Sequence, residues 1–202
     1  TASHFPLGNL HKPTVRQLAA QMKIATQAKK DSTGICFIGE RPFKDFLQRF
    51  LPAQPGPIET PEGRSLGQHD GVMFYTIGQR QGLQIGGQKQ GGGQPWYVVA
   101  KDVAQNRLIV AQGRNHPLLY SQHLSGSQLH WISGTQPTLP FQCQAKTRYR
   151  QAEQPCMITE IEHDRCQVQF LQPQWALTPG QSIVFYQQQH CLGGAIISAI
   201  QS

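Results

Sequence analysis

Phe141-Gln142-Cys143-Gln144-Ala145-Lys146-Thr147-Arg148-Tyr149 sets Phe141, Cys143, Ala145 and Thr147 on one phase and Gln142, Gln144, Lys146 and Arg148 on the other. A period of two belongs to a β-strand, here with one face toward a core and a basic ladder toward solvent. Residues 121–202 continue in the same style, with further strands expected near 128–132, 156–162, 166–171, 182–187 and 191–199, parted by Pro and Gly turns. Six short strands in succession are the pattern of a small closed barrel. The composition agrees, because 20 Gly and 14 Pro in 202 residues favour many turns over a helical bundle. Gln is abundant but follows no repeat, so it reads as surface filler.

Upstream, Gly113-Arg114-Asn115-His116-Pro117 reads as a linker. Before it, Val72 to Ile77, Trp96 to Lys101 and Arg107 to Ala111 read as strands, the last two forming a hairpin about Asp102 to Asn106. Residues 82–93 hold six glycines and are expected to be a flexible connection. Neither a Gly-x-Gly-x-x-Gly nor a Gly-x-x-x-x-Gly-Lys pattern is present there, and no helix follows, which argues against a nucleotide loop. Nearer the N-terminus the period becomes helical. Pro13 opens a helix over 13–23 with Val15, Leu18, Ala19 and Met22 on one face, and a second helix starts near Pro42 with Phe43, Phe46, Leu47 and Phe50. The expected fold is therefore mainly β with a short helical N-terminal segment: a small central β domain followed by a C-terminal closed β-barrel.

The formal net charge of +7 suits a polyanionic partner and is equally compatible with plain solubility. Residues 121–202 carry four Lys/Arg and four acids, yet place Lys146, Arg148 and Arg150 within five residues. Alternating cations can follow a phosphate backbone, and Tyr149 can stack on an unpaired base; the bland alternative is a solvated barrel face. Gln181, after Pro179-Gly180, sits at a turn tip whose amide could read a base edge or do nothing. The five cysteines are an odd number with no Cys-x-x-Cys pair, which argues against a disulfide framework and a zinc site. Cys143, Cys156, Cys166 and Cys191 read as small core residues. Cys36 stands apart, in an irregular segment near Lys29, Lys30 and Arg41, where cations lower a thiol's pKa toward the reactive thiolate; Asp31 and Glu40 partly oppose that, and Ile35 and Phe37 suit a buried thiol as well. The eight histidines show no metal-ligand spacing. No run approaches the ~18 apolar residues of a membrane span and no secretory signal is seen, so a cytoplasmic protein is expected. The opening Thr1-Ala2-Ser3 lacks an initiator Met and suggests a piece of something longer.

Four blocks together carry more than pattern. Asp31-Ser32-Thr33-Gly34-Ile35-Cys36-Phe37-Ile38-Gly39-Glu40, Tyr75-Thr76-Ile77-Gly78-Gln79-Arg80, Lys146 to Arg150 and Thr178-Pro179-Gly180-Gln181 closely resemble the bacterial tRNA-specific 2-thiouridylase family, in matching order and spacing across nearly the whole chain. The resemblance implies an ATP-dependent enzyme, with Mg accompanying the nucleotide, that replaces the 2-oxygen of the wobble uridine of tRNA with sulfur. It implies an N-terminal PP-loop domain that adenylates the uridine, and a central β domain and barrel that help hold the tRNA. The family's Ser-Gly-Gly-x-Asp-Ser loop and its first catalytic cysteine are not in this sequence. Residues 1–41 are accordingly expected to be the tail of the catalytic domain, 42–118 the central domain and 119–202 the tRNA-binding barrel. Cys36 resembles the persulfide-bearing cysteine, which takes sulfur from a donor protein and delivers it to the activated base; attack by a second thiolate then leaves a disulfide. Arg148, Tyr149 and Gln181 match positions that contact tRNA, and for Arg148 and Tyr149 both to do so the strand must end or bulge near 148.

The resemblance further implies a cytoplasmic monomer whose 202 residues are inactive alone. A non-catalytic RNA-binding barrel is the competing reading, distinguished by sulfur loading at Cys36. A cysteine hydrolase or thiol peroxidase would turn over without tRNA or ATP, and no His or Asp motif supports it.

Overall fold

A computed structural model describes residues 4–29, 54–85 and 93–201. Cys36, the helix expected near Pro42 and residues 86–92 of the glycine-rich connection lie outside the described residues. The chain divides into two compact units, with the boundary between Phe50 and Leu51. In the first, α1 spans Lys12–Gln21, with Pro13 in its opening turn where a missing N–H costs nothing. It ends at Met22, whose N–H reaches the Leu18 carbonyl, and Lys23 follows with a left-handed φ of 53°. The expected face of Val15, Leu18, Ala19 and Met22 is present in sequence but none of it is buried, Met22 being 73% exposed.

The second unit is mainly β, with a four-stranded sheet and a closed six-stranded barrel. The sheet comprises β1 Gly56–Glu59, β2 Ser65–His69, β3 Trp96–Asp102 and β4 Arg107–Gln112, in the order β2-β1-β4-β3. The β3–β4 hairpin turns where expected. Its mouth is fastened by Arg107, which donates to Asp102 at 2.8 Å and to Glu59 of β1 at 3.3 Å. Burial of Ile58, Val98, Leu108 and Val110, none of which retains accessible surface, holds the sheet together. His69 is a satisfied core histidine: Gly71 N–H donates to its Nδ1 and its Nε2 lies 3.0 Å from the Asn106 carbonyl.

Two departures from expectation concern this sheet. β1 and β2 were not foreseen, because Gly56-Pro57 and Gly67-Gln68 interrupt any apolar alternation. Conversely Val72–Ile77 is not a strand. Val72–Phe74 forms a 3₁₀ turn, and Val72, Tyr75 and Ile77 are buried individually from an irregular path. The β-branched residues there satisfy the core without a ladder.

The barrel strands are β5 Tyr120–Trp131, β6 Phe141–Lys146, β7 Gln154–Glu162, β8 Arg165–Trp175, β9 Ser182–Gln187 and β10 His190–Gln201, closing as β10-β5-β8-β7-β6-β9 with every neighbour antiparallel. Closure removes sheet edges, and inward residues fill the interior: Leu124, Ala145, Ile158, Val168, Phe170, Ile183, Phe185 and Ile197 are buried. β5 and β8 run longer than expected, and β6 stops at Lys146 rather than 149. Gly113 to Pro117 is no loose tether either. Pro117–Leu119 forms a 3₁₀ turn, Leu119 is buried in the sheet's core, and its carbonyl accepts from Ala176 N–H at 2.6 Å.

Candidate nucleic-acid interface

The end of β6 is set by glutamines. Beyond Lys146, the N–H and Oγ1 of Thr147 both donate to Gln151 Oε1, at 3.1 and 2.9 Å, so a side chain takes over where the strand ladder would have continued. Gln151 Nε2 donates in turn to Gln174 Oε1 of β8, and Gln174 Nε2 donates to the Gln172 carbonyl. Gln174 is buried, and Thr147 keeps its inward phase although it has left the strand. The reading of glutamine as surface filler is corrected here: a buried amide supplies donor and acceptor at once and can close a chain of partners.

Because β6 has ended, Arg148 and Tyr149 are freed from strict alternation. Tyr149 is 95% exposed. A core tyrosine is thereby excluded at this position. Arg148 is half-buried, and it does not meet only water, as a cation on the outward phase of a continuing strand would. Its Nη2 donates to the Ala176 carbonyl at 3.0 Å and its guanidinium lies 5.0 Å from the centre of the Trp175 ring. Burial draws its pKa below the ordinary guanidinium value, without threatening its charge. Lys146 departs from the expected basic ladder more fully, since it pairs with Glu153 at 3.2 Å and sits over the Tyr186 ring.

Gln181 occupies the same end of the barrel. β6 pairs antiparallel with β9 up to Lys146 opposite Val184, and β9 begins at Ser182, so the residues that follow β6 and the turn that precedes β9 lie at one end of the barrel. The turn before β9 is tied to β10 by its backbone: Gly180 N–H donates to the Ile197 carbonyl and Ile197 N–H to the Gln181 carbonyl, both at 2.8 Å. The side chain of Gln181 is half-exposed at this tip.

The four described cysteines are free thiols. Cys143 faces Cys156 across β6 and β7 with their Sγ atoms 3.7 Å apart. The hydrogen bond from Cys156 stabilises the Cys143 thiolate and lowers its pKa, while donating to that thiolate and being buried hold Cys156 protonated and push its pKa upward. Burial raises Cys166 to about 11. Cys191, expected in the core, is exposed at the start of β10. Among the described residues no group of three or more His, Cys, Asp or Glu could hold a metal ion, and no helix is long and apolar enough to cross a membrane.

Comparison with known proteins assigns the chain in three consecutive parts. Residues 1–40 match the tRNA methyl transferase HUP domain, 44–112 the tRNA methyl transferase PRC-barrel domain and 121–197 the aminomethyltransferase beta-barrel domain. The chain is 60% identical over 196 residues, 97% of its length, to the tRNA-specific 2-thiouridylase MnmA of Coxiella burnetii (strain CbuK_Q154). The proteins of the same name from Idiomarina loihiensis and Methylococcus capsulatus are 58% and 60% identical over 96% of it. This chain belongs to the tRNA-specific 2-thiouridylase family. It spans about half the length of these relatives, 53%, 52% and 53% respectively.

For this member of the 2-thiouridylase family, three of the four blocks that carried the resemblance converge on one dipeptide, Trp175-Ala176. Arg148 and Thr178 both donate to the Ala176 carbonyl, at 3.0 and 3.1 Å. From the Tyr75–Arg80 block, Gly78 takes a left-handed φ of 83° and packs so closely that an added Cβ would lie 2.7 Å from Ala176 Cβ and 2.8 Å from the Trp175 ring. Neither Trp175 nor Arg114, whose carbonyl accepts from Trp175 Nε1–H and whose guanidinium lies 5.2 Å from the indole centre, was singled out from sequence. One Trp after Gln-Pro-Gln, and one Arg in a linker, offer no local signal.

Proposed function

We propose that this chain forms part of an ATP-dependent tRNA sulfurtransferase that 2-thiolates the wobble uridine through a cysteine persulfide. Residues 1–41 would be the tail of the PP-loop catalytic domain, 42–118 the central β domain and 119–202 the tRNA-binding barrel. The observation that carries this reading is the fully presented ring of Tyr149 beside Arg148 at the open end of β6, in a chain this similar to tRNA-specific 2-thiouridylases. An aromatic of that size gains nothing for the isolated fold by standing in water, whereas an unpaired base stacks on it. Arg148, Tyr149 and Gln181 are proposed to contact tRNA, with the enzyme acting as a cytoplasmic monomer.

Cys36 is proposed as the sulfur carrier. A donor protein would leave one sulfur on its thiolate, and the terminal sulfur of the persulfide would attack the activated base; attack by a second thiolate on the attached sulfur releases the product sulfur and leaves a disulfide. ATP, with Mg, supplies the leaving group on the uridine oxygen. The described residues do not fit that nucleotide: the first turn of α1 contains Pro13, which has no N–H, the helix follows His11, whose side chain makes no cap bond, and no glycine-rich turn leads into it. The 202 residues alone are therefore expected to bind tRNA without thiolating it. The test is filter binding of tRNA by the chain, together with thiolation by the longer enzyme. Saturable tRNA binding with thiolation dependent on Cys36 supports the proposal; sulfur incorporation unaffected by Cys36→Ser defeats the carrier assignment, and failure of the chain to bind tRNA defeats the interface.

A further inference from the structure

Two guanidinium groups share one indole. The Cζ atoms of Arg114 and Arg148 lie 5.2 and 5.0 Å from the centre of the Trp175 ring, which puts the two charges within about 10 Å of each other. That is about one Debye length at ~0.1 M salt, so they repel through partial screening. Other cations of this unit are neutralised where they are held: Arg107 by Asp102 and Glu59, Lys146 by Glu153. Around Trp175 the sequence supplies no such partner. The four stretches that meet there, 76–82, 113–117, 147–152 and 172–181, contain no Asp or Glu and carry Arg80, Arg114, Arg148 and Arg150. Arg80, Arg114 and Arg150 are exposed.

We propose that Arg114 and Arg148, oriented by Trp175, form a phosphate clamp that extends the RNA path from the barrel tip onto the junction with the central sheet. The proposal rests on the tRNA-binding reading of the barrel and adds to it a site outside Arg148, Tyr149 and Gln181. A guanidinium stacked on an aromatic face keeps its N–H groups available for in-plane hydrogen bonds; Arg148 commits Nη2 to the Ala176 carbonyl and keeps its other donors, and a planar fork matches phosphate oxygens. The segment bearing Arg114 is itself held, since Trp175 Nε1–H donates to its carbonyl at 3.2 Å. A phosphate between the two cations would remove the repulsion that folding leaves in place. The adjoining exposed ring of Tyr149 favours a nucleic acid over an acidic peptide, which has no base to stack.

The experiment is filter binding of tRNA to the full chain at several salt concentrations, for wild type, Arg114→Gln, Arg114→Lys and Arg148→Gln, each checked by thermal melting. Arg114→Gln is expected to melt like wild type but to flatten the slope of log affinity against log salt by about 0.7–0.9. Between about 50 and about 200 mM salt its affinity should therefore fall about 3-fold less than that of wild type. Arg114→Lys should keep the wild-type slope. If wild type binds and Arg148→Gln weakens it while Arg114→Gln leaves affinity and slope unchanged, the clamp is wrong and the barrel reading stands; if wild type does not bind tRNA, the barrel reading falls and the clamp with it. Competition by poly-glutamate as effective as that by RNA of equal charge would also overturn the proposal.

Discussion

Tyr149 and Arg148 are neighbours with opposite commitments. Tyr149 contributes nothing to the free fold, so Tyr149→Ala should leave the melting temperature unchanged, cost tRNA affinity on the order of 1–3 kcal/mol, and keep the salt slope. Arg148 serves the fold and, in the proposed reading, the interface as well. Its hydrogen bond to Ala176 and its stacking on Trp175 are lost in Arg148→Ala, so that variant should melt lower, by on the order of 1 kcal/mol for a part-exposed contact, and also bind tRNA with a shallower salt slope. Thermal melts and filter binding on both variants separate the two roles; equal melting of Arg148→Ala and wild type would contradict the contact with Ala176. Among the four described thiols, iodoacetamide should modify exposed Cys191 first and then Cys143, whose thiolate Cys156 stabilises, leaving buried Cys156 and Cys166 to last, as peptide mass mapping over time would show. Cys36→Ser should abolish thiolation by the longer enzyme while leaving adenylation of the base intact, because a hydroxyl cannot carry transferable sulfur.

At the scale of elements, the junction between sheet and barrel is where backbone geometry matters most. Gly78→Ala forces a Cβ into both Ala176 and Trp175 from a left-handed φ, so it should destabilise by at least about 2 kcal/mol, adding overpacking to the backbone cost. Gly134→Ala is the control. Its φ of 72° is also left-handed but nothing lies within 4 Å of the added carbon, so only the backbone cost of about 1 kcal/mol should appear. Denaturant melts of the two give the contact energy by difference, and equal losses would show that Gly78 is not a close-packing position. Strand β6 shows how far alternation reads: its phase was legible from Phe141 to Lys146, where burial follows the period of two. It then failed, because the side chain of Gln151, held in place by Gln174 of β8, captures Thr147 before the ladder can continue. Val72 to Ile77 failed for the complementary reason, since β-branched and aromatic residues suit any buried path and a 3₁₀ turn buries them as well as a strand.

For the whole molecule, stability should decline on the alkaline side through the barrel thiols. Cys166 is held protonated in the native barrel up to about 11, against 9.0 for an ordinary thiol, so the unfolded chain ionises first. Its contribution is full below pH 9.0 and is lost as pH rises toward about 11. Chemical denaturation of wild type and Cys166→Ala across that range should give curves that converge as pH increases; parallel curves would rule out the linkage. What the amino-acid sequence determined alone was whatever short-range pattern encodes: the mainly β class, the β3–β4 hairpin, the six barrel strands and the motif blocks of the family. These follow from periodicity and turn chemistry within about ten residues, which each strand carries in itself. Only the tertiary structure decided that Tyr75–Arg80, Lys146–Arg150 and Thr178–Gln181 meet at Trp175-Ala176, that Arg148 is half-buried while Tyr149 is not, and that Arg114 joins them. Closing a barrel brings together strand ends far apart in the chain, and which side chains share a partner there depends on register and packing that no local stretch contains.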